Sequence, residues 1–208
     1  AVFLTGLAIG GFWAMGPIFA PGIGLDVAGS SAFMAAVLGG TLVLQWPLGW
    51  LSDRVSRNLV IAGAALASAV AAIGVSVAAD APLPVLLAAG ALFGGFGIPI
   101  YSLCLAAAND DLPPGRLLGT ARGLLLLNGI GTAAGPLVGG VVMDRVGPGG
   151  LFVYAAVLLT MLAVLAGLRG RSRSAIEVKA TRCPSTPMIT ASLDAMIRTQ
   201  DEPQSVRN

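Results

Sequence analysis

Charged residues fall at wide intervals along this chain, and between them lie uncharged apolar runs at residues 1–25, 27–52, 58–79, 81–109, 123–143 and 146–168. Each run reaches the roughly 20 residues that a helix rising about 1.5 Å per residue needs to cross the hydrocarbon of a bilayer. None shows the ten-residue apolar/polar alternation of a lipid-facing strand, which removes the β-barrel, the other structure that satisfies its backbone hydrogen bonds in lipid. The pattern predicts an all-α membrane protein with six transmembrane helices, and the lipid bilayer as its first partner.

The pattern changes after residue 169. Residues 170–208 hold Arg171, Arg173, Glu177, Lys179, Asp201 and Glu202 with three prolines, and no run of spanning length. The expected organisation is therefore a bundle over residues 1–169 and a polar tail over 170–208. Within the tail, Ser192 as a cap and Leu193, Met196 and Ile197 at helical spacing predict one short helix over residues 191–199.

Composition narrows the function classes. The chain is 56% hydrophobic and only 11% charged, far below the quarter or so of a soluble domain. It has no histidine and two cysteines, Cys104 inside a span and Cys183 in the tail, so a disulfide scaffold, a metal site and His-based catalysis lack their material. No enzyme, cofactor, metal or nucleic-acid partner is expected. The first residue is Ala1 and no basic segment precedes the first apolar run, so the chain is expected to begin partway through a longer protein.

Arginines near the span ends set orientation. Arg54, Arg57, Arg116, Arg122, Arg169, Arg171 and Arg173 fall on one side of the alternating spans and Arg145 alone on the other, while the loops holding Asp26 and Asp80 carry no base. That asymmetry predicts a multi-pass protein with both ends of this chain in the cytoplasm.

The end of the second span, Gly49-x-x-x-Asp53-Arg54-Val55, returns at the end of the fifth as Gly140-x-x-x-Asp144-Arg145-Val146. Copies three spans apart lie on opposite membrane faces, as an inverted three-plus-three repeat requires. Coincidence in a chain this rich in Gly and Val is the alternative.

Four groups of residues can carry function, each beside a plainer reading. Asp53, Arg54 and Arg57, with Gly49 before them, are either a solvated positive-inside loop or a charge-and-dipole latch that engages a neighbouring helix in one state only, Gly49 letting that helix approach. In the fifth span Gly131, Gly135 and Gly139 recur every four residues beside Pro136 and Gly140, a ridge for close helix packing with a proline that favours a kink. Gln45, Tyr101, Asn128 and Thr132, together with Trp13 next to Phe12, are candidates for a substrate path; interhelical hydrogen bonding and interface anchoring are the alternatives. Asn109, Asp110, Asp111, Arg116 and Arg122 form a loop cluster expected to hold surface ion pairs.

The loop from Gly49 to Arg57 resembles the G-x-L-x-D-R-x-x-R signature of the major facilitator superfamily (MFS) of transporters, and Gly131 to Gly140 is similar to its glycine-rich G-x-x-x-G-P-x-x-G-G signature. Phe33-Met34-Ala35-Ala36, Gly39-Gly40, Gln45-Trp46-Pro47-Leu48-Gly49 and Leu124 to Leu127 followed by Gly129-Ile130-Gly131 look most like the bacterial YcaD-like subgroup. The resemblance implies helices seven to twelve of a bacterial inner-membrane transporter, whose N-terminal six-helix half is missing here. It also implies translocation of a small solute, with or without proton coupling, by alternating access, at a site between the halves. Ser56 stands where the loop signature has its second glycine and Asn58 where it has a base, as in a second-half copy. No Asp, Glu, Lys or His lies deep in any span, so a coupling carboxylate is expected in the missing half. A membrane sensor or scaffold that kept such a bundle without its pathway is the competing expectation.

Overall fold

The computed structural model describes residues 1–78, 81–110 and 117–181. The expected helix at 191–199, Asp80, and Asp111 and Arg116 of the loop cluster lie outside them. Among the described residues seven helices follow one another: α1 (Val2–Gly22), α2 (Val27–Arg54), α3 (Arg57–Val77), α4 (Leu83–Gly97), α5 (Ile100–Asp110), α6 (Leu117–Val146) and α7 (Gly150–Thr181). Six stretches among the described residues are long and apolar enough to cross a membrane, α4 and α5 together forming one of them over Leu83–Ala108.

Local chemistry sets the boundaries. α1 ends where Gly24 takes a positive φ of 85°; the Gly24 amide donates to the Pro21 carbonyl at 2.9 Å and the Leu25 amide to that of Ala20 at 3.1 Å, satisfying two carbonyls the helix leaves open. Asp26 then caps α2, its Oδ1 accepting from the Gly29 amide at 2.8 Å. Span four is interrupted at Ile98 and Pro99, because Pro99 has no amide to give to the helix. α6 begins at Leu117, earlier than the run starting at residue 123, since the exposed Arg122 both favours helix and can leave its charge in water. α7 likewise passes the end of its uncharged run at Leu168, with Arg169 exposed, and continues to Thr181.

Two helix pairs approach through glycine. On α1 and α6, a Cβ placed on Gly131 would lie 2.5 Å from the Phe3 carbonyl oxygen, and one on Gly135 would lie 2.5 Å from that of Leu7 and 2.6 Å from the Gly11 amide. Reciprocally, Gly6 and Gly10 press on the backbones of Asn128 and Thr132. On α2 and α4, Gly40 meets the Ala91 backbone, Gly94 that of Val37, and a Cβ on Gly95 would lie 2.8 Å from the Gly40 carbonyl oxygen. At such range glycine Cα–H groups face carbonyl oxygens, a contact that substitutes for the hydrophobic drive lipid withholds. The first-with-fifth and second-with-fourth pairs exchange places when spans one to three are mapped onto spans four to six.

Five fully buried phenylalanines join these pairs: Phe12 and Phe19 of α1, Phe33 of α2, Phe93 of α4 and Phe152 of α7. Phe152 lies 4.7 Å from Phe19 and 5.3 Å from Phe93, centroid to centroid, in edge-on geometries that the ring quadrupoles favour. Phe12, the neighbour of the path candidate Trp13, is core.

The two ends of the bundle are fixed by side chains from distant spans. Ser76 donates to the Gly149 carbonyl at 3.2 Å, and Gly22 abuts Pro148, gathering α1, α3 and the α6–α7 turn at one end. At the other end Gly170 lies beside Asn58, near the α2–α3 turn.

Candidate functional site

The turn from Trp50 to Arg57 is built by the end of α2 and the start of α3. Arg57 and Asp53, one helical turn apart in sequence, form an ion pair at 3.6 Å in which Asp53 remains 74% exposed. Arg54 stacks over Trp50 with its guanidinium carbon 3.9 Å from the ring centroid, a cation–π contact that holds the charge at the end of the span. Ser52, buried beside them, has a hydroxyl with no hydrogen-bond partner among the described residues. The close helix approach expected at Gly49 is absent among the described residues: nothing lies within 4 Å of a Cβ placed there.

Gly49 and Asp53 instead belong to one solvent- or lipid-facing stripe of α2, with Leu38, Leu42, Gln45, Trp46 and Trp50 at helical spacing; Leu42 and Trp46 are 76% and 79% exposed. α6 carries a matching stripe of Leu126, Ile130, Ala133, Leu137, Val141 and Asp144, with Leu137 74% exposed. These are the two spans least covered by the rest of the chain.

Of the glycine group, Gly131 and Gly135 form the tight contact with α1, whereas a Cβ on Gly139 would meet Leu151 at an ordinary 3.5 Å and one on Gly140 only Met15 at 3.9 Å. α6 runs helical through Pro136. Among the path candidates, Asn128 and Thr132 come together on α6, where the Thr132 hydroxyl donates to the Asn128 carbonyl at 2.9 Å and both face α1 glycines. Trp13, 42% exposed, touches Phe12 edge-on, Gln45 is exposed on α2 and Tyr101 is half-buried on α5; no hydrogen bond or ring contact among the described residues joins these three.

Three residues escaped the sequence reading. Tyr154 donates to the Leu7 carbonyl at 3.3 Å, Ser68 donates to the Phe93 carbonyl at 2.9 Å, and Asp26 caps α2. Only the last left a signal, an acid immediately before an apolar run.

Six apolar helices, close-packed through glycine and bearing charge at their ends, define a multi-pass helical membrane protein. The sequence profile of the Major Facilitator Superfamily matches residues 1–197, and the chain belongs to that superfamily of transporters. It is 28% identical over 170 residues to an uncharacterized MFS-type transporter of Enterobacter sp. (strain 638), covering 79% of this chain and 43% of the relative. A Yersinia enterocolitica MFS-type transporter is 27% identical over 165 residues, 78% of this chain and 41% of that one. The Escherichia coli MFS-type transporter YcaD is 27% identical over 154 residues, 74% and 39% of the two chains. The chain thus spans about two fifths of the length of the curated relatives it matches. No solved structure matches it.

Proposed function

We propose that this chain is the second six-helix half, helices seven to twelve, of a secondary transporter that moves a small solute across a bacterial inner membrane by alternating access. One observation carries the reading: the exposed stripes of α2 and α6 are continuous, run nearly the full span and include Gln45, an amide that is costly to leave in lipid. A second bundle of similar size, for which the relatives have ample length, would cover them. Residues 1–169 form the bundle and 170–208 the tail, and the seven-to-one arginine asymmetry supports cytoplasmic ends. The eroded loop signature, with Ser56 and Asn58, supports the second-half position.

In this reading Gly49, Asp53, Arg54 and Arg57 form the latch that holds one state closed against the other half. Gly131, Gly135, Pro136, Gly139 and Gly140 shape the helix that carries one side of the interface. Trp13, Gln45, Tyr101, Asn128 and Thr132 supply this half's wall of the path. They are uncharged, so a coupling carboxylate would reside in the other half.

The test uses the full-length protein in vesicles, with Cys104 and Cys183 replaced by serine. Gln45→Cys and Asn128→Cys should react with a water-soluble thiol reagent well faster than Val70→Cys on the exposed face of α3. Equal, slow labelling at all three would overturn the pathway and favour a sensor or scaffold that kept the bundle alone.

A further inference from the structure

The echo between α2 and α6 extends beyond the residues that announce it. Counting back from Asp53, the positions three, four, seven and eleven residues earlier are Trp50, Gly49, Trp46 and Leu42; counting back from Asp144 they are Val141, Gly140, Leu137 and Ala133. Exposure matches position by position: both acids are exposed, both glycines have open space or only a 3.9 Å neighbour above them, and Trp46 and Leu137 are 79% and 74% exposed. Arg54 and Arg145 follow the acids and lie in the last turns of their helices. The helices themselves are equivalent in the packing, since α2 pairs with α4 as α6 pairs with α1. Their charged tips lie at opposite ends of the bundle, Asp53 at the α2–α3 turn and Asp144 at the α6–α7 turn.

An aspartate in the last turn of a helix sits where the macrodipole is negative, so its own helix disfavours it. Asp53 is compensated within the chain by Arg57, four residues on. The corresponding position after Asp144 is Pro148, and Asp144 has no ion pair or hydrogen bond among the described residues. Solvation alone accounts for one exposed acid. It does not account for a second acid placed in the same register of the same kind of stripe, at the opposite end, and stripped of its internal partner.

We propose that Asp144 is a second latch, which engages the positively polarised start of a helix in the other six-helix half when the Gly149 end of the bundle is closed, in opposite phase to Asp53. This rests on the half-transporter reading. Each charge would then hold shut the end it occupies, and transport would alternate between the two engagements.

The experiment uses full-length protein lacking native cysteines, with a reporter at either end of α1: Ile18→Cys, near the Gly149 end, and Phe3→Cys, near the Asp53 end. Asp144→Asn should raise labelling of Ile18→Cys by a water-soluble thiol reagent about fivefold and lower that of Phe3→Cys. Asp144→Glu should restore the original pattern, and Asp53→Asn should shift the two reporters the opposite way. If Asp53→Asn moves the reporters while Asp144→Asn does not, or if both shift them alike, the second latch is wrong and the transporter reading stands. If no variant moves either reporter, both latches fall, and the transporter reading is left to the labelling of Gln45→Cys and Asn128→Cys.

Discussion

The carbonyl oxygen of Leu7 is held from two sides: the Tyr154 hydroxyl of α7 donates to it at 3.3 Å, and a Cβ placed on Gly135 of α6 would lie 2.5 Å from it. One backbone atom of α1 thereby registers three helices. Tyr154 also fills the space above Gly11, its ring carbon 3.1 Å from where a side chain there would begin. The glycines of α1 and α6 and the tyrosine of α7 are therefore complementary parts of one joint.

Gly135→Leu should be severely destabilising, because the new side chain must push α1 and α6 apart and forfeit the contacts that glycine allows, a loss of about 3 kcal/mol or more. Val70→Leu, a residue 62% exposed on α3, should be close to neutral. Detergent melting of the two variants checks this; equal melting temperatures would remove the glycine contact as a source of stability.

Tyr154→Phe keeps the ring and deletes the hydroxyl, so it should cost only about 0.6 kcal/mol, the usual worth of one hydrogen bond between membrane helices. Tyr154→Ala should cost several times more, since it also empties the space above Gly11 and beside Gly139. A phenylalanine variant as unstable as the alanine one would show that the hydroxyl, not the ring, dominates.

Asp53→Asn should slow turnover of the full-length protein by about tenfold, equivalent to ~1.4 kcal/mol, while its amount in the membrane stays nearly constant. Asp53 is 74% exposed in its ion pair with Arg57, so the pair contributes little to stability and lost stability is not the expected route. Loss of protein from the membrane at unchanged turnover per molecule would make Asp53 a structural residue.

Ser56→Cys at the α2–α3 turn should be shielded from an impermeant thiol reagent in intact cells, and Pro148→Cys at the α6–α7 turn should react with it. The arginine asymmetry motivates this orientation. The reverse pattern would invert the topology.

The six spans were legible because hydropathy over 20 residues is a summed property that no single neighbour alters, and Gly131 and Gly135 announced a contact by their spacing. Which helix they touch was not legible, since helical periodicity points to a face and never to its partner. Phe12 and Trp13 show the same limit: adjacent aromatics, one fully buried and the other 42% exposed, differ only in what packs against them. Gly49 read as a glycine that lets a helix approach, yet among the described residues nothing meets it, while Gly40, singled out only by resemblance, meets α4. The hydroxyls of Ser68 and Tyr154 reach carbonyls 25 and 147 residues away, and such pairings leave no local trace.

The pairing of α1 with α6 also dictates a waiting time during synthesis. About 95 residues separate the end of α1 at Gly22 from the start of α6 at Leu117, so at ~5–20 residues per second the first span precedes its partner by roughly 5–20 s. Throughout that interval Gly6 and Gly10 leave their stretch of α1 backbone without the helix that later covers it. The insertion machinery, or an early neighbour such as α2, must shield that groove until the ribosome delivers its occupant.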